Sequence, residues 1–358
     1  MAKKLVLCFD GTWNTPDHDG DIGGDHNTND RKMYEAVLAQ DDGGIPQQAW
    51  YQPGIGHKWY NRIRGGLFGC GLSANIREGY EYLIKHYEDG DQVFLFGFSR
   101  GAYIARSLVG LIRNCGLLYP RHKNMVRDAY ALYRTRGDGA DSENARYFRE
   151  RYSRLIDIEF LGVWDTVGAL GIPVGSFEWF NRSFYEFHDT ELSGIVRHAY
   201  HAIAIDEHRE PYVATLWDPK AKPNQVMEQV WFPGAHADVG GGYPERELAD
   251  ITLQWMMGKA AACGLALDLQ RIPAVEDRHY LAPLHDSFRL FLGGVYSQFA
   301  NRHFRDIGRT LFGAECFHES VRRRCEALID YKPKNPIWEF VADIPEIFST
   351  RVIRLSSK

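Results

Sequence analysis

The chain has 358 residues, 44% hydrophobic and 25% charged, the balance of a soluble globular protein with a sizeable core. That excludes disorder or a fibre as the main state, and 42 basic against 47 acidic side chains, a formal charge of −5, leave no basic footprint for nucleic acid. No apolar run approaches the ~20 residues of a membrane helix.

The basic start Met1-Ala-Lys-Lys4 leads into the apolar run Leu5–Phe9. Acidic Asp10 ends that run too early for a signal peptide. Six cysteines without C-x-x-C spacing read as reduced thiols, so a cytoplasmic protein is expected. Leu5–Phe9 stops at Asp10-Gly11-Thr12, and Gln92–Phe96, Ile158–Trp164 and Gln229–Phe232 each stop at a similar Gly- or Asp-rich loop. Runs this short, apolar at both alternate positions, suit strands covered on both faces. Ala49–Gln52 is a weaker candidate of the same kind. Between them, Leu72, Ile76, Tyr80, Leu83, Ile84 and Tyr87 fall on one helical face, with Asn75 and Glu78 at the spacing of an N-terminal cap. Ala105, Leu108, Val109 and Ile112 form a second stripe, and Leu248, Ile251, Trp255 and Met256 a third. This alternation predicts a single α/β domain over 1–358 with a mainly parallel sheet flanked by helices. Excursions are expected at 116–156, where 134–154 is polar and reads as solvated, and at 172–191; the part from 247 to 358 is expected to be helical.

The segment 172–191 carries Phe177, Trp179, Phe180, Phe184, Tyr185 and Phe187, too many aromatics for a solvated loop. It reads either as an irregular cap over the sheet edge or as the wall of an apolar substrate groove.

The chemistry concentrates on Gly97-Phe98-Ser99-Arg100-Gly101, a G-x-S-x-G pattern placed directly after a strand and before a helix. That setting is what a nucleophile elbow requires: the glycines permit a tight turn that projects the serine hydroxyl above the sheet. The helix N-terminus then favours the negative charge that develops. A serine needs a base, and the base an orienting acid. In the chain order Ser, acid, His, the base that fits is His236, in a Gly-rich loop after a strand. His57 precedes the nucleophile and is the weaker choice. His198, His201 and His208 read as surface or core histidines. For the acid, Asp165 ends the strand Ile158–Trp164, and Asp206 is equally well placed if 198–205 is a strand rather than a helix. The clearer strand favours Asp165. An oxyanion hole would use the Arg100 backbone N–H plus that of Gly11 or Thr12. Asp10 also ends a strand and would support the elbow if Leu5–Phe9 is the strand adjacent to it, and Asp238 could orient the histidine loop. His236 and Asp238 lack a third clustered ligand, so neither metal nor cofactor is called for.

Four motifs in order resemble one family: Phe9-Asp-Gly-Thr-Trp-Asn14, Gly97-Phe-Ser-Arg-Gly-Ala102, Val163-Trp-Asp-Thr-Val-Gly168 and Phe232-Pro-Gly-Ala-His-Ala-Asp-Val-Gly-Gly-Gly-Tyr243. They are similar to blocks of the uncharacterised α/β-hydrolase domain family that includes the catalytic module of type VI secretion phospholipase effectors. Tyr51–Gly56, Ile203–Glu207 and His318–Val321 resemble further blocks. The resemblance implies an α/β-hydrolase fold with esterase or lipase chemistry. Ser99 and His236 match the family's nucleophile and base, and both Asp165 and Asp206 lie in its blocks. The implied substrate is a small-molecule or lipid ester, reached as a stand-alone esterase or with peripheral membrane contact. No segment here is long enough for the membrane-anchoring part such effectors carry. The readings from other classes are a catalytically silent hydrolase fold that binds a partner, and a peptidase or amidase.

Overall fold

The structure, a computed structural model, describes residues 2–11, 27–54, 67–135, 137–167, 191–218, 222–308, 315–335 and 348–349. In chain order its elements are β1 (Lys4–Phe9), α1 (Asn29–Ala36), β2 (Gln47–Gln52), α2 (Leu67–His86), β3 (Gln92–Phe98), α3 (Arg100–Cys115), β4 (Leu117–Leu118), α4 (Val126–Arg134), α5 (Glu143–Tyr152) and β5 (Ser153–Arg154). There follow β6 (Ile158–Trp164), β7 (Val196–Ala204), β8 (Val226–Phe232), α6 (His236–Gly240), α7 (Glu247–Ala262), β9 (Glu315–His318), α8 (Glu319–Ala327) and β10 (Phe348–Ser349), with short helical turns between α7 and β9.

Among the described residues eight strands form one sheet in the order β10-β9-β8-β7-β6-β3-β1-β2, with every neighbouring pair parallel. Side chains alternate across it. Leu5, Leu7, Phe9, Val93 and Leu95 pack with α2 and α3 on one face. Val6, Cys8, Phe94, Phe96 and Phe98 meet α1 and α7 on the other. Both faces are covered, which is why these strands read as continuous apolar runs rather than as alternating ones.

Much of the aromatic excess is used here. Phe96, Phe160, Tyr200, Trp255 and Phe232 form a chain of ring contacts crossing adjacent strands, with centroids 5.2–5.9 Å apart. Each such ring adds edge or stacking energy to its burial.

The weaker strand candidate is real, as β2. Residues 198–205 fall on β7 and its end, so the helical alternative for them is gone. Helix α2 begins at Leu67, which places Asn75 and Glu78 in its interior instead of at its cap. The weakly patterned Phe68-Gly-Cys-Gly71 hid that first turn. The excursion at 116–156 is less solvated than its charges suggest. Leu117 and Leu118 are fully buried and pair with β5, and Ala129, Ala145 and Phe148 face inward. The charged residues of α4 and α5 occupy the opposite sides. The region from 247 onward is not simply helical: β9 and β10 extend the sheet beyond β8. Strands of four and two residues carry too little alternation to be legible. Among the described residues no helix is long and apolar enough to cross a membrane.

The sheet order places the site. The chain runs from β1 outward to β2, then returns to place β3 on β1's other side. Ligand crevices in open parallel sheets form at such a reversal, beyond the carboxyl ends of the strands.

Candidate active site

Ser99 stands at that edge, between β3 and α3, with φ 58° and ψ −117°. This is a left-handed conformation that costs a non-glycine residue energy and is kept only where the surroundings impose it. Here the flanking glycines do so. A Cβ on Gly97 would lie 2.5 Å from the Gly101 carbonyl oxygen, and one on Gly101 would lie 1.7 Å from that of Phe9. The turn is therefore pressed against itself and against the end of β1. The ladder continues past the strand, since the Ser99 N–H donates to the Trp164 carbonyl at 3.0 Å. Ser99 makes no side-chain cap for α3. Its hydroxyl turns to His236.

His236 opens α6, just after β8, and is 7% exposed. Its Nε2 lies 2.8 Å from Ser99 Oγ, and its Nδ1 2.5 Å from Asp165 Oδ2. A carboxylate only accepts, so Nδ1 carries the proton and Nε2 is left to accept from the serine. The imidazole sits between Phe98 and Tyr212, with centroids 4.7 and 5.1 Å away. Burial pushes its pKa below the usual histidine value, against the opposing pull of Asp165.

Asp165 is fully buried and also has positive φ, 40°. Its carboxylate folds over the end of β7, where the Ala204 N–H donates to Oδ1 at 3.0 Å. Arg305 grips the same carboxylate with two bonds, Nη1 to Oδ1 at 2.6 Å and Nη2 to Oδ2 at 3.0 Å. Burial opposes the charge on Asp165, but Arg305 and His236 outweigh it and hold this carboxyl well below the usual carboxylate range.

The other sequence candidates separate. Asp206 ends a genuine strand but does not reach the histidine. Its Oδ2 accepts from the Gly234 N–H at 2.8 Å and from the Tyr331 hydroxyl at 2.9 Å, which ties the ends of β7 and β8 together. Asp206 Oδ2 is thus engaged away from the imidazole. The reason is that Asp165 turns back across β7, whereas Asp206 faces the loop after β8. Asp10 accepts from Thr28 Oγ1 at 2.7 Å and Tyr51 Oη at 2.6 Å. It also accepts from the Gly11 N–H at 2.6 Å, so that amide is engaged by its neighbour's carboxylate and does not point freely at the serine. Asp238 accepts from the Ala235 N–H at 2.9 Å and from His285 Nδ1 at 2.6 Å, closing the start of α6. His201 is buried in β7, where its Nε2 accepts from the Thr166 N–H at 3.1 Å. Burial, then the nearby Arg106, push its pKa down to about 3. His57, Thr12, Phe177, Trp179, Phe180, Phe184, Tyr185 and Phe187 lie outside the described residues.

Sequence reasoning missed two groups. Arg305 lies in an irregular stretch 140 positions from Asp165, with no motif to mark it. Glu207 and Arg209 are buried beside the histidine and joined by two side-chain bonds of 2.8 and 2.7 Å. Glu207 also accepts from the His236 N–H at 3.3 Å and from Ser287 Oγ at 2.9 Å. Burial disfavours the charge on Glu207, but Arg209 outweighs that and keeps its pKa low. The signals for Glu207 were its place in the Ile203–Glu207 block and the pair Asp206-Glu207, two acids directly after an apolar run.

The profile of the family described as T6SS phospholipase effector Tle1-like, catalytic domain, matches residues 3–259. An uncharacterized protein of Saccharomyces cerevisiae is 30% identical over 242 residues, 61% of this chain and 33% of that protein, so the chain spans about a third of that relative's length. Among solved structures, an uncharacterized protein from Pseudomonas aeruginosa aligns with a TM-score of 0.45 at 18% identity, covering 84% of this chain and 51% of that one. The Tle1 effector bound to the VgrG spike of the type 6 secretion system aligns with a TM-score of 0.40 at 18% identity, covering 68% and 51%.

Proposed function

The chain belongs to the T6SS Tle1-like phospholipase effector catalytic-domain family, and from that premise we propose that it is a serine hydrolase cleaving carboxylic esters, lipid acyl esters above all, through an acyl-serine intermediate. The observation that carries the reading is the unbroken hydrogen-bonded series Ser99, His236, Asp165, at 2.8 and 2.5 Å. It lies at one sheet edge on a strained serine turn.

In this mechanism Ser99 Oγ attacks the ester carbonyl as His236 Nε2 takes its proton. The tetrahedral oxyanion faces the start of α3, where the Arg100 N–H is the proposed donor and the helix dipole favours negative charge. His236 then returns the proton to the departing alkoxide, and water repeats the sequence on the acyl-serine. Gly11 contributes a second donor only if its amide leaves Asp10. The acyl chain is assigned to the aromatic segment 172–191, since each methylene buried there would contribute ~0.8 kcal/mol.

The test is labelling with a fluorophosphonate, combined with a panel of nitrophenyl esters of increasing acyl length and matching amides. The expected result is modification at Ser99, lost in Ser99→Ala, with esters turned over and amides not. Folded protein that takes no label is a silent hydrolase fold, and preference for amides makes it an amidase.

The two aspartates are separable in the same assay. Asp165→Asn should cost at least ~10³-fold in kcat, because the amide no longer holds the required histidine tautomer. Asp206→Asn should cost less than ~10-fold in rate and act mainly on stability, by about 1 kcal/mol for one weakened part-buried contact. Kinetics beside melting curves would show it; the reverse order of rate losses, at unchanged Tm, would move the acid to Asp206.

A further inference from the structure

Arg305 is 2% exposed, and its two η nitrogens donate four hydrogen bonds. Nη1 reaches Asp165 Oδ1 and the Ala204 carbonyl at 2.6 and 2.7 Å, and Nη2 reaches Asp165 Oδ2 and the Tyr212 carbonyl at 3.0 and 2.5 Å. Its own backbone carbonyl accepts from Asn335 Nδ2 at 3.0 Å. A surface ion pair is worth little, but a planar fork on a buried carboxylate is the geometry in which arginine is least replaceable. No reacting atom touches it.

We propose that Arg305 is a positioning residue that acts through Asp165: it locks the carboxylate plane toward His236 Nδ1 and draws off part of the carboxylate's charge, so that His236 stays neutral and able to accept the Ser99 proton in mildly acidic solution. The inference rests on the serine-hydrolase reading for its meaning, but not for its measurement.

The electrostatics have a definite sign. An isolated buried carboxylate 2.5 Å from an imidazole would hold a proton on it, which raises the histidine pKa. A guanidinium on the same two oxygens opposes that second positive charge. The other groups facing His236 are balanced: Glu207 is paired with Arg209, Asp238 on its own helix is paired with His285, and Tyr212 presents a ring edge. Removing the Arg305 charge therefore leaves Asp165 unopposed, and the histidine should become more basic.

The experiment uses the full chain as wild type, Arg305→Met, Arg305→Gln and Arg305→Lys. The His236 ring is titrated by NMR, assigned by the signals lost in His236→Gln, and the rate of Ser99 labelling by a fluorophosphonate is followed against pH. Met and Gln should each raise the His236 pKa by about one unit, a tenfold change in proton affinity. The acidic limb of the labelling rate should move upward with it. Gln, which retains a hydrogen bond, covers the case in which Met fails to fold. Lys keeps the charge without the fork, so its pKa should stay near wild type while labelling slows. A pKa that does not move in folded Met or Gln protein overturns the inference and leaves Arg305 a packing residue. Failure of all three variants to fold does the same. Wild-type protein that never labels while its His236 pKa still responds to Arg305 fails the hydrolase reading alone.

Discussion

Replacing His236 by alanine is expected to lower kcat by at least ~10³-fold, which is about 4 kcal/mol of barrier at 1.36 kcal/mol per decade. The size follows from the site's geometry. Ser99 Oγ lies 2.8 Å from His236 Nε2, whose ring is held between Phe98 and Tyr212, and an alanine puts no acceptor in that place. Loss of a base from such a unit costs nearly as much as loss of the whole unit. The fold should survive, because the backbone contacts of His236, its N–H to Glu207 among them, do not need the ring. The wild-type acidic limb gives an independent check. His236 must be neutral to accept the proton, so kcat/KM falls as pH drops through its pKa. Burial lowers that pKa, so the limb should lie below the ordinary histidine value of ~6.5. In His236→Ala the limb should vanish together with the activity. Steady-state rates from pH 4 to 9 on a nitrophenyl ester, with circular dichroism on the variant, decide the matter. An alanine variant within tenfold of wild type would remove His236 from the mechanism.

Among the described glycines Gly101 leaves the least room for a methyl group, so Gly101→Ala is expected to be strongly damaging. Its new methyl would stand 1.7 Å from the Phe9 carbonyl oxygen and 2.4 Å from the carbon, both backbone atoms of the buried strand β1. No rotamer change relieves a clash between a Cβ and a main chain, so α3 must lift from β1 or the serine turn must open. Overpacking in cores typically costs 1–3 kcal/mol and occasionally more, and this contact belongs at the upper end, about 3–5 kcal/mol. Gly139→Ala is the control, because nothing lies within 4 Å of its added Cβ. Urea denaturation should show a large drop in midpoint for Gly101→Ala and a shift of less than ~0.5 kcal/mol for Gly139→Ala. Equal midpoints would mean that the turn is not pressed onto β1 as described.

Which parts of this were legible in advance depends on the range of the interaction that fixes them. The strands β1, β3, β6 and β8 were readable because burial on both faces demands continuous apolar runs, a local property of five to seven residues. The elbow was readable for a similar reason: its two close backbone approaches exclude every side chain at Gly97 and Gly101, and that exclusion is written in the sequence as glycine. Chain order then singled out His236 from fourteen histidines. The first turn of α2 and the strands β9 and β10 were not readable. Glycines blurred the helical stripe in one case, and the pattern was too short in the other.

The sequence alone determined an α/β chain with a mainly parallel sheet, a serine on a strand-to-helix turn, and a short set of partners for it. Tertiary structure alone shows which of Asp165 and Asp206 lies against His236. Both end strands that are neighbours in the sheet, so no local pattern separates them. What separates them is direction: Asp165 folds back over β7 onto His236 and Arg305, and Asp206 is bonded to Gly234 and Tyr331. Arg305 was decided there too. A salt bridge across 140 positions leaves no periodicity, spacing or composition for a sequence to display, because its partners are brought together only by the packing of the whole sheet edge.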